Sequence, residues 1–175
     1  MTNSRPAMAE ISQAVEFIKS KGAPAPQIGI ILGTGMGNLA NEMEDAVVID
    51  YGDIPHFPVS TVETHKGRLL LGNFHGTPAI MMQGRFHYYE GYSMQQIALP
   101  VRAMKLLGAD KFLVMNAVGS VNPLIPAGSL VLVNDHINLM GDNPLIGPND
   151  ETLGPRFPDM SQPYSRRLIA RAESI

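Results

Sequence analysis

Residues 28–37 read Ile-Gly-Ile-Ile-Leu-Gly-Thr-Gly-Met-Gly, and this stretch decides the fold class. Its first five residues form a short, mostly apolar run, which is typical of a buried β-strand. The glycines that follow predict a tight loop, and residues 38–44 predict a weak helix after it. A strand, a glycine loop and a helix in succession are typical of an α/β protein.

Two longer helical segments lie on either side of this stretch. Apolar residues at helical spacing predict a helix over residues 7–21. Residues 94–107 predict a second helix, which Ser93 caps and Gly108 closes. Pro100 is expected either to kink that helix or to mark its true start.

Apolar runs elsewhere predict the other strands of the sheet. Residues 68–72 and 78–82 predict a hairpin, with turn chemistry supplied by residues 73–76. Residues 111–115 predict a buried strand, and residues 129–133 predict one more strand. Because several strands are apolar throughout, we expect a mainly parallel or mixed sheet with ligand-binding loops at the strand ends.

The C-terminal part of the sequence is different in character. Residues 142–163 are rich in Gly, Pro, Asn and Asp, and a loop of this length inside a compact domain is usually functional. Residues 165–174 predict a short helix. Internal repeats and low-complexity segments are lacking, and the length of 175 residues predicts that residues 1–175 are a single domain or a large part of one.

Composition narrows the classes of function. Lys and Arg number 13 against 16 Asp and Glu, a net charge of -3, so binding to nucleic acid or to an acidic membrane is not expected, and any anion site must be local. The sequence has no cysteine, which excludes disulfides and thiolate chemistry. Its five histidines are scattered, and no metal site is predicted. Without a secretory signal or an apolar run of about 20 residues, a cytoplasmic protein without a membrane span is expected.

The glycine loop is the first candidate site. Its backbone amides can approach an anion, the following helix N-terminus adds positive partial charge, and Thr34 can add a hydroxyl donor. The alternative is a strand-to-helix turn that has no phosphate role. The glycine spacing does not match the dinucleotide-binding fingerprint, and no P-loop lysine follows.

The second candidate is a polar segment after the predicted hairpin. Arg85 supplies a guanidinium fork and His87 an imidazole within three residues, and Glu90 lies three residues further on. A carboxylate near a histidine can fix its tautomer, so His87 could exchange a proton with an anionic ligand. The alternative is a solvated cluster of salt bridges. His65, taken alone, reads as a surface histidine.

Residues 82–92 read Met-Gln-Gly-Arg-Phe-His-Tyr-Tyr-Glu-Gly-Tyr, which resembles the signature loop of the trimeric, low-molecular-mass purine nucleoside phosphorylases. Other segments resemble this family in the same order and spacing. They are residues 31–37, 65–69, 116–120, 135–138, 143–149 and 156–161. The resemblance extends over nearly the whole chain from about residue 10.

The resemblance implies the nucleoside phosphorylase fold: an α/β domain whose mixed central sheet partly closes into a distorted barrel, surrounded by helices, in a homotrimer. Family chains are longer, so residues 1–175 are expected to be the N-terminal portion of this domain, without its C-terminal third or more. The residues that recognise the base lie in that C-terminal part, and base preference is therefore not predicted.

The resemblance also implies roles for individual residues. His87 and Glu90 would be catalytic, with Glu90 orienting His87. Tyr89 would contact the ribose, and Phe157 would cover the sugar in a neighbouring subunit's site. The phosphate-binding positions would be Thr34, where many relatives carry Ser, His65, Arg85, Phe86, His87 and Ala117.

The activity implied is that of a purine-nucleoside phosphorylase, a pentosyltransferase. Such an enzyme converts purine (deoxy)ribonucleosides such as inosine and guanosine, with inorganic phosphate, to the free base and (deoxy)ribose 1-phosphate, and no cofactor is expected. The alternative is a non-catalytic remnant that keeps only part of the phosphate and ribose site. Related methylthioadenosine phosphorylases are disfavoured by the sequence of residues 85–92.

Overall fold

The structure is a computed structural model that describes residues 8–59 and 66–175. The chain divides into two units, the first ending at Ala117 and the second spanning Val118–Ile175. A five-stranded sheet and two α-helices form the first unit, and a single α-helix lies among the irregular segments of the second. No helix within the described ranges is long and apolar enough to cross a membrane.

Both long helices form where the sequence predicts them. Helix α1 spans Met8–Ser20 and helix α2 spans Met94–Leu107, and the two pack against each other. The hydroxyl of Ser93 accepts a hydrogen bond from the backbone N–H of Gln96, which satisfies a donor at the start of α2. Pro100 lies inside α2, so the helix does not begin at the proline.

The sheet is mixed, as predicted. In chain order its strands are β1 (Ile28–Ile31), β2 (Met43–Asp50), β3 (Arg68–Phe74), β4 (Thr77–Gln83) and β5 (Lys111–Val114). Their spatial order is β2-β3-β4-β1-β5, and β1 runs parallel to both β4 and β5. The other two pairings, β2 with β3 and β3 with β4, are antiparallel. The α/β class is confirmed, but the described strands form an open sheet with β2 and β5 at its edges, and the partial closure into a barrel is not seen among them.

The segment after the glycine loop differs from the prediction. Gly37–Glu42 is a short 3-10 helix, and strand β2, which the sequence did not predict, begins at Met43. The pairing of β2 with β3 shifts register between Glu44 and Val47, and Asp45 adopts a φ of 50° there. This bulge interrupts the alternation of apolar and polar residues that identifies a half-buried strand.

Two other predictions about strands need correction. Residues 111–115 were predicted as a buried strand, but β5 is an edge strand in which Leu113 and Val114 are about half exposed. Residues 129–133 form no strand, because an apolar run becomes one only when a neighbouring backbone pairs with it. Residues 142–163 contain no helix or strand, as predicted, and helix α3 spans Arg166–Glu173.

The core of the first unit supports the strand ends. One cluster of its buried residues comes from β1 to β4 and the segments next to β1; it contains Ile30, Leu32, Ala40, Met43, Leu70, Ala79 and Met81. Because β4, β1 and β5 are neighbours and parallel, their carboxyl ends lie at the same edge of the sheet. The loops that follow these three strands are the ones that carry the predicted site.

Candidate functional site at the carboxyl ends of three parallel strands

Backbone hydrogen bonds continue the sheet past the end of β1 and fix the start of the glycine loop. The N–H of Leu32 donates to the carbonyl oxygen of Met82 at 3.1 Å, on the β4 side. On the β5 side, the N–H of Met115 donates to the carbonyl oxygen of Ile31 at 2.9 Å. The glycine loop therefore starts from a backbone that is held on both sides.

Gly33 lies directly against the chain that leaves β5. A Cβ atom on Gly33 would be 2.4 Å from the carbonyl oxygen of Met115 and 2.7 Å from the Cα of Asn116. Only glycine permits this approach. Thr34 follows Gly33 in the chain, and Ala117 follows Asn116 in the segment that Gly33 approaches. Thr34 and Ala117 are both exposed.

Arg85 links the loops that follow β4 and β5. Its Nη1 donates to the carbonyl oxygen of Met115 at 2.7 Å, and its Nε donates to Nε2 of His87 at 3.3 Å. The side chain is partly buried. The guanidinium is thus fixed in orientation beside the glycine loop, where its positive charge is less screened than that of a surface arginine.

His87 is held by Glu90 through two hydrogen bonds to one carboxylate oxygen. Oε1 of Glu90 lies 2.8 Å from the backbone nitrogen of His87 and 2.7 Å from its Nδ1. The Glu90 side chain is 2% exposed and that of His87 is 15% exposed. Since a guanidinium can only donate, Nε2 of His87 accepts from Arg85 and Nδ1 carries the hydrogen that faces Glu90. Glu90 and His87 are therefore in direct contact, and the orienting role of Glu90 stays a prediction.

A pocket of about 170 Å³ lies under and beside the glycine loop. Its lining combines loop backbone, polar side chains and one cation; the residues are Leu32, Gly33, Thr34, Gly35, Gly37, Asn38, Lys66, Gln83 and Gly84. Of these residues, Thr34 is predicted from the sequence as a site residue, whereas Lys66 and Gln83 are not. The ammonium of Lys66 and the hydroxyl of Thr34 make this pocket suited to an anion.

Aromatic residues surround the Arg85 segment in two different ways. The Phe86 ring is 5% exposed and lies 4.9 Å from the ring of Tyr51, so only its backbone could contact an anion. The hydroxyl of Tyr51 donates to the carbonyl oxygen of Gly84 at 2.7 Å, and burial raises the pKa of Tyr51 well above its usual range. Tyr89 is 76% exposed and stacks on the ring of His87 at 4.6 Å.

The remaining two predicted site residues are His65 and Phe157. His65 falls outside the described residues. Phe157 belongs to the second unit, where its ring is 86% exposed and lies 5.8 Å from the guanidinium carbon of Arg156. Arg156 Nη1 also donates to the carbonyl oxygens of Leu145 and Gly147, each at 2.7 Å, and so ties the long irregular segment together.

The chain is similar to known proteins over most of its length. The family model of the phosphorylase superfamily matches residues 27–175. Purine nucleoside phosphorylase 1 from Geobacillus stearothermophilus is 55% identical over 165 residues, which cover 94% of this chain and 60% of that protein. The chain therefore spans about 60% of the length of this relative.

Solved structures agree with the sequence comparison. Isoform 2 of purine nucleoside phosphorylase from Schistosoma mansoni, in complex with cytosine and ribose-1-phosphate, matches with a TM-score of 0.89 and 46% identity, over 95% of this chain and 60% of that one. A purine nucleoside phosphorylase from Schistosoma in complex with hypoxanthine matches with a TM-score of 0.91 and 40% identity, over 98% of this chain and 61% of that one. Both have the fold described above. The chain belongs to the phosphorylase superfamily, and the relatives to which it is similar are purine nucleoside phosphorylases.

Proposed function

We propose that residues 1–175 form the N-terminal portion of a single purine-nucleoside phosphorylase domain, which transfers the pentosyl group of a purine nucleoside to inorganic phosphate. The observation that carries the proposal is the Arg85 guanidinium, fixed by Met115 and His87 beside the glycine loop. The pocket at that loop adds Lys66 and backbone amides. Inorganic phosphate, as a substrate, suits this combination of donors, and no cofactor is required.

The proposed chemistry uses the anion directly. Breaking the bond between ribose and base develops positive charge on the sugar, and a phosphate held next to that carbon stabilises the charge and then forms the new bond. The electron pair of the broken bond leaves with the purine. Thr34, Arg85, His87 and the backbone at Phe86 and Ala117 would hold the phosphate, as would His65. Glu90 would hold Nδ1 of His87, and Nε2 would exchange its hydrogen bond from Arg85 for one to an anionic oxygen, with which it could share a proton.

The proposal also includes contacts to the sugar and the assembly of subunits. Tyr89, exposed and stacked on His87, is available to contact a ribose hydroxyl. Phe157 is exposed in the second unit, and we propose that it covers the sugar in a neighbouring subunit of a homotrimer. The hypoxanthine and ribose-1-phosphate bound in the solved relatives support a purine nucleoside as substrate. A cytoplasmic location is consistent with the lack of cysteine in the sequence.

Phosphate-dependent release of hypoxanthine from inosine tests the activity. The purified chain is assayed with and without phosphate, next to Arg85→Ala and to Arg167→Ala, which removes an exposed arginine of α3 as a matched control. We expect release that needs phosphate and Arg85 but not Arg167. If a folded chain binds phosphate without releasing base, the non-catalytic alternative is favoured. If phosphate neither binds nor is required, the proposed function is wrong.

A further inference from the structure

Gln83 is a buried polar residue for which the proposed reaction has no role. It is the last residue of β4 and lies two positions before Arg85, yet it is only 3% exposed. Burying an amide side chain is unfavourable unless its hydrogen bonds are made. The partners of Gln83 therefore indicate what it does.

Both ends of the Gln83 amide are engaged. Its Oε1 accepts from Nε of Arg68 at 2.6 Å, and its Nε2 donates to the carbonyl oxygen of Gly37 at 2.7 Å. Arg68 is the residue paired with Gln83 across β3 and β4. A guanidinium can only donate and a carbonyl can only accept, so the orientation of the amide is fixed by its two partners.

Gly37 marks the far end of the glycine loop, where the 3-10 helix begins. The near end is fixed by the approach of Gly33 to Met115. Between these ends, the N–H of Met36 donates back to the carbonyl oxygen of Gly33 at 3.1 Å. Gln83 therefore holds the second end of a loop whose first end is already fixed, and it does so from the strand that leads to Arg85.

We infer that Gln83 is a positioning residue for anion binding. It holds the loop that contains Thr34 at a set distance from Arg85, so that Thr34 and Arg85 can bind the same phosphate. This inference rests on the proposed function, since phosphate is the ligand. Gln83 acts through the loop and Arg68 acts through Gln83. The carbonyl of Gly37 accepts from the side chain of Gln83, and both residues line the pocket beside the glycine loop.

Two substitutions test the hydrogen bonds that the two ends of the Gln83 amide make. Gln83→Glu keeps an acceptor for Arg68 but loses the donor to Gly37 and places a negative charge beside an anion pocket. Gln83→Met keeps the length of the side chain and removes both hydrogen bonds. Gln27→Met serves as a matched control, because Gln27 is exposed and precedes β1 at the opposite end of the strand.

Inorganic phosphate is titrated calorimetrically into the wild type, the three glutamine variants and Arg85→Ala, and amide hydrogen exchange is measured without ligand. We expect Gln83→Met to weaken phosphate binding about five- to tenfold, the equivalent of about one hydrogen bond, and Gln83→Glu to weaken it further. Exchange at the Met36 amide should rise in both variants. The Ile97 amide in α2, bonded to Ser93, should exchange as in the wild type.

Unchanged phosphate affinity in Gln83→Met overturns the inference, whether or not Met36 exchanges faster. Equal acceleration at Met36 and Ile97 also overturns it, since that pattern shows general loss of stability. If the wild type itself binds no phosphate, the proposed function fails together with the inference. In the first two cases the wild type still binds and Arg85→Ala does not, so the two kinds of failure are distinguishable.

Discussion

The guanidinium of Arg85 and the carbonyl oxygen of Met115 are joined by a 2.7 Å hydrogen bond between the loops that follow β4 and β5. Strand β1 lies between those two strands. The bond therefore connects the two neighbours of the glycine loop. It fixes the guanidinium of the site by a contact that depends on the tertiary structure.

Replacing Arg85 by Lys tests whether the fork geometry matters in addition to the charge. Lysine has one donor nitrogen, so it cannot occupy the two separate positions from which Nη1 and Nε of Arg85 now donate. We expect phosphate affinity to fall by about 1.5–3 kcal/mol, the usual value of a hydrogen bond to a charged group. Titration calorimetry measures the change, with Arg167→Lys as the control. Affinity equal to that of the wild type would show that charge alone suffices.

Glu90→Ala should destabilise the first unit. The buried carboxylate accepts from both the backbone and the ring of His87, and its removal leaves two donors without their acceptor. The expected loss is roughly 1–3 kcal/mol of unfolding free energy, with looser packing of the His87 ring. Urea denaturation gives the value. Glu16→Ala, at an exposed position of α1, should change stability by no more than about 0.5 kcal/mol. A similar effect of both substitutions contradicts the prediction.

Gly33→Ala should be poorly tolerated for a purely steric reason. The added methyl group would lie 2.4 Å from a backbone oxygen, which cannot move away as a flexible side chain can. We expect a loss of about 1–3 kcal/mol, as for other overpacked sites, together with weaker phosphate binding. Gly52→Ala is the matched control in the same unit, since a Cβ there meets nothing within 4 Å. Thermal unfolding compares the stabilities of the two variants. Equal unfolding midpoints would refute the close approach of Gly33 to Met115.

Because the hydroxyl of Tyr51 is buried, we expect the free energy of unfolding to decrease at alkaline pH. Burial raises the pKa of this hydroxyl in the folded protein above its value of about 10 in the unfolded chain. The folded state therefore keeps its proton when the unfolded state loses it, and stability falls as the pH rises above about 10. In Tyr51→Phe this fall should be shallower. Urea denaturation between pH 8 and about 11 tests it, and identical slopes would count against the buried hydroxyl.

The sequence predicts most elements of the first unit because their signals are local. The caps of α2 at Ser93 and Gly108 and the turn at Gly76 between β3 and β4 depend on a few neighbouring residues. Strand β2 was missed because its bulge disrupts the pattern. Residues 129–133 were wrongly predicted as a strand because an apolar run carries no information about whether another backbone lies beside it.

The same distinction between local signals and long-range contacts applies to the site. The spacing of Arg85, His87 and Glu90 within six residues is visible in the sequence, which favours their contact but leaves a solvated cluster of salt bridges open as the alternative. The approach of Gly33 to Met115 and the bond of Gln83 to Gly37 join residues 46 to 82 positions apart along the chain. Such contacts follow from the order of strands in the sheet, and that order cannot be read from a single sequence.

That strand order has a consequence for how the protein is made. Strand β1 precedes both of its neighbours in the chain, and its partner on one side, β5, is not complete until Val114. During synthesis the ribosome therefore releases the glycine loop long before the backbone that supports it. Pairing across such a separation in sequence is slow because the intervening chain must first be ordered. The support that Met115 gives to the glycine loop is therefore expected to form late in folding, and a nascent chain shorter than about Met115 would expose β1 without the parallel neighbour on its β5 side.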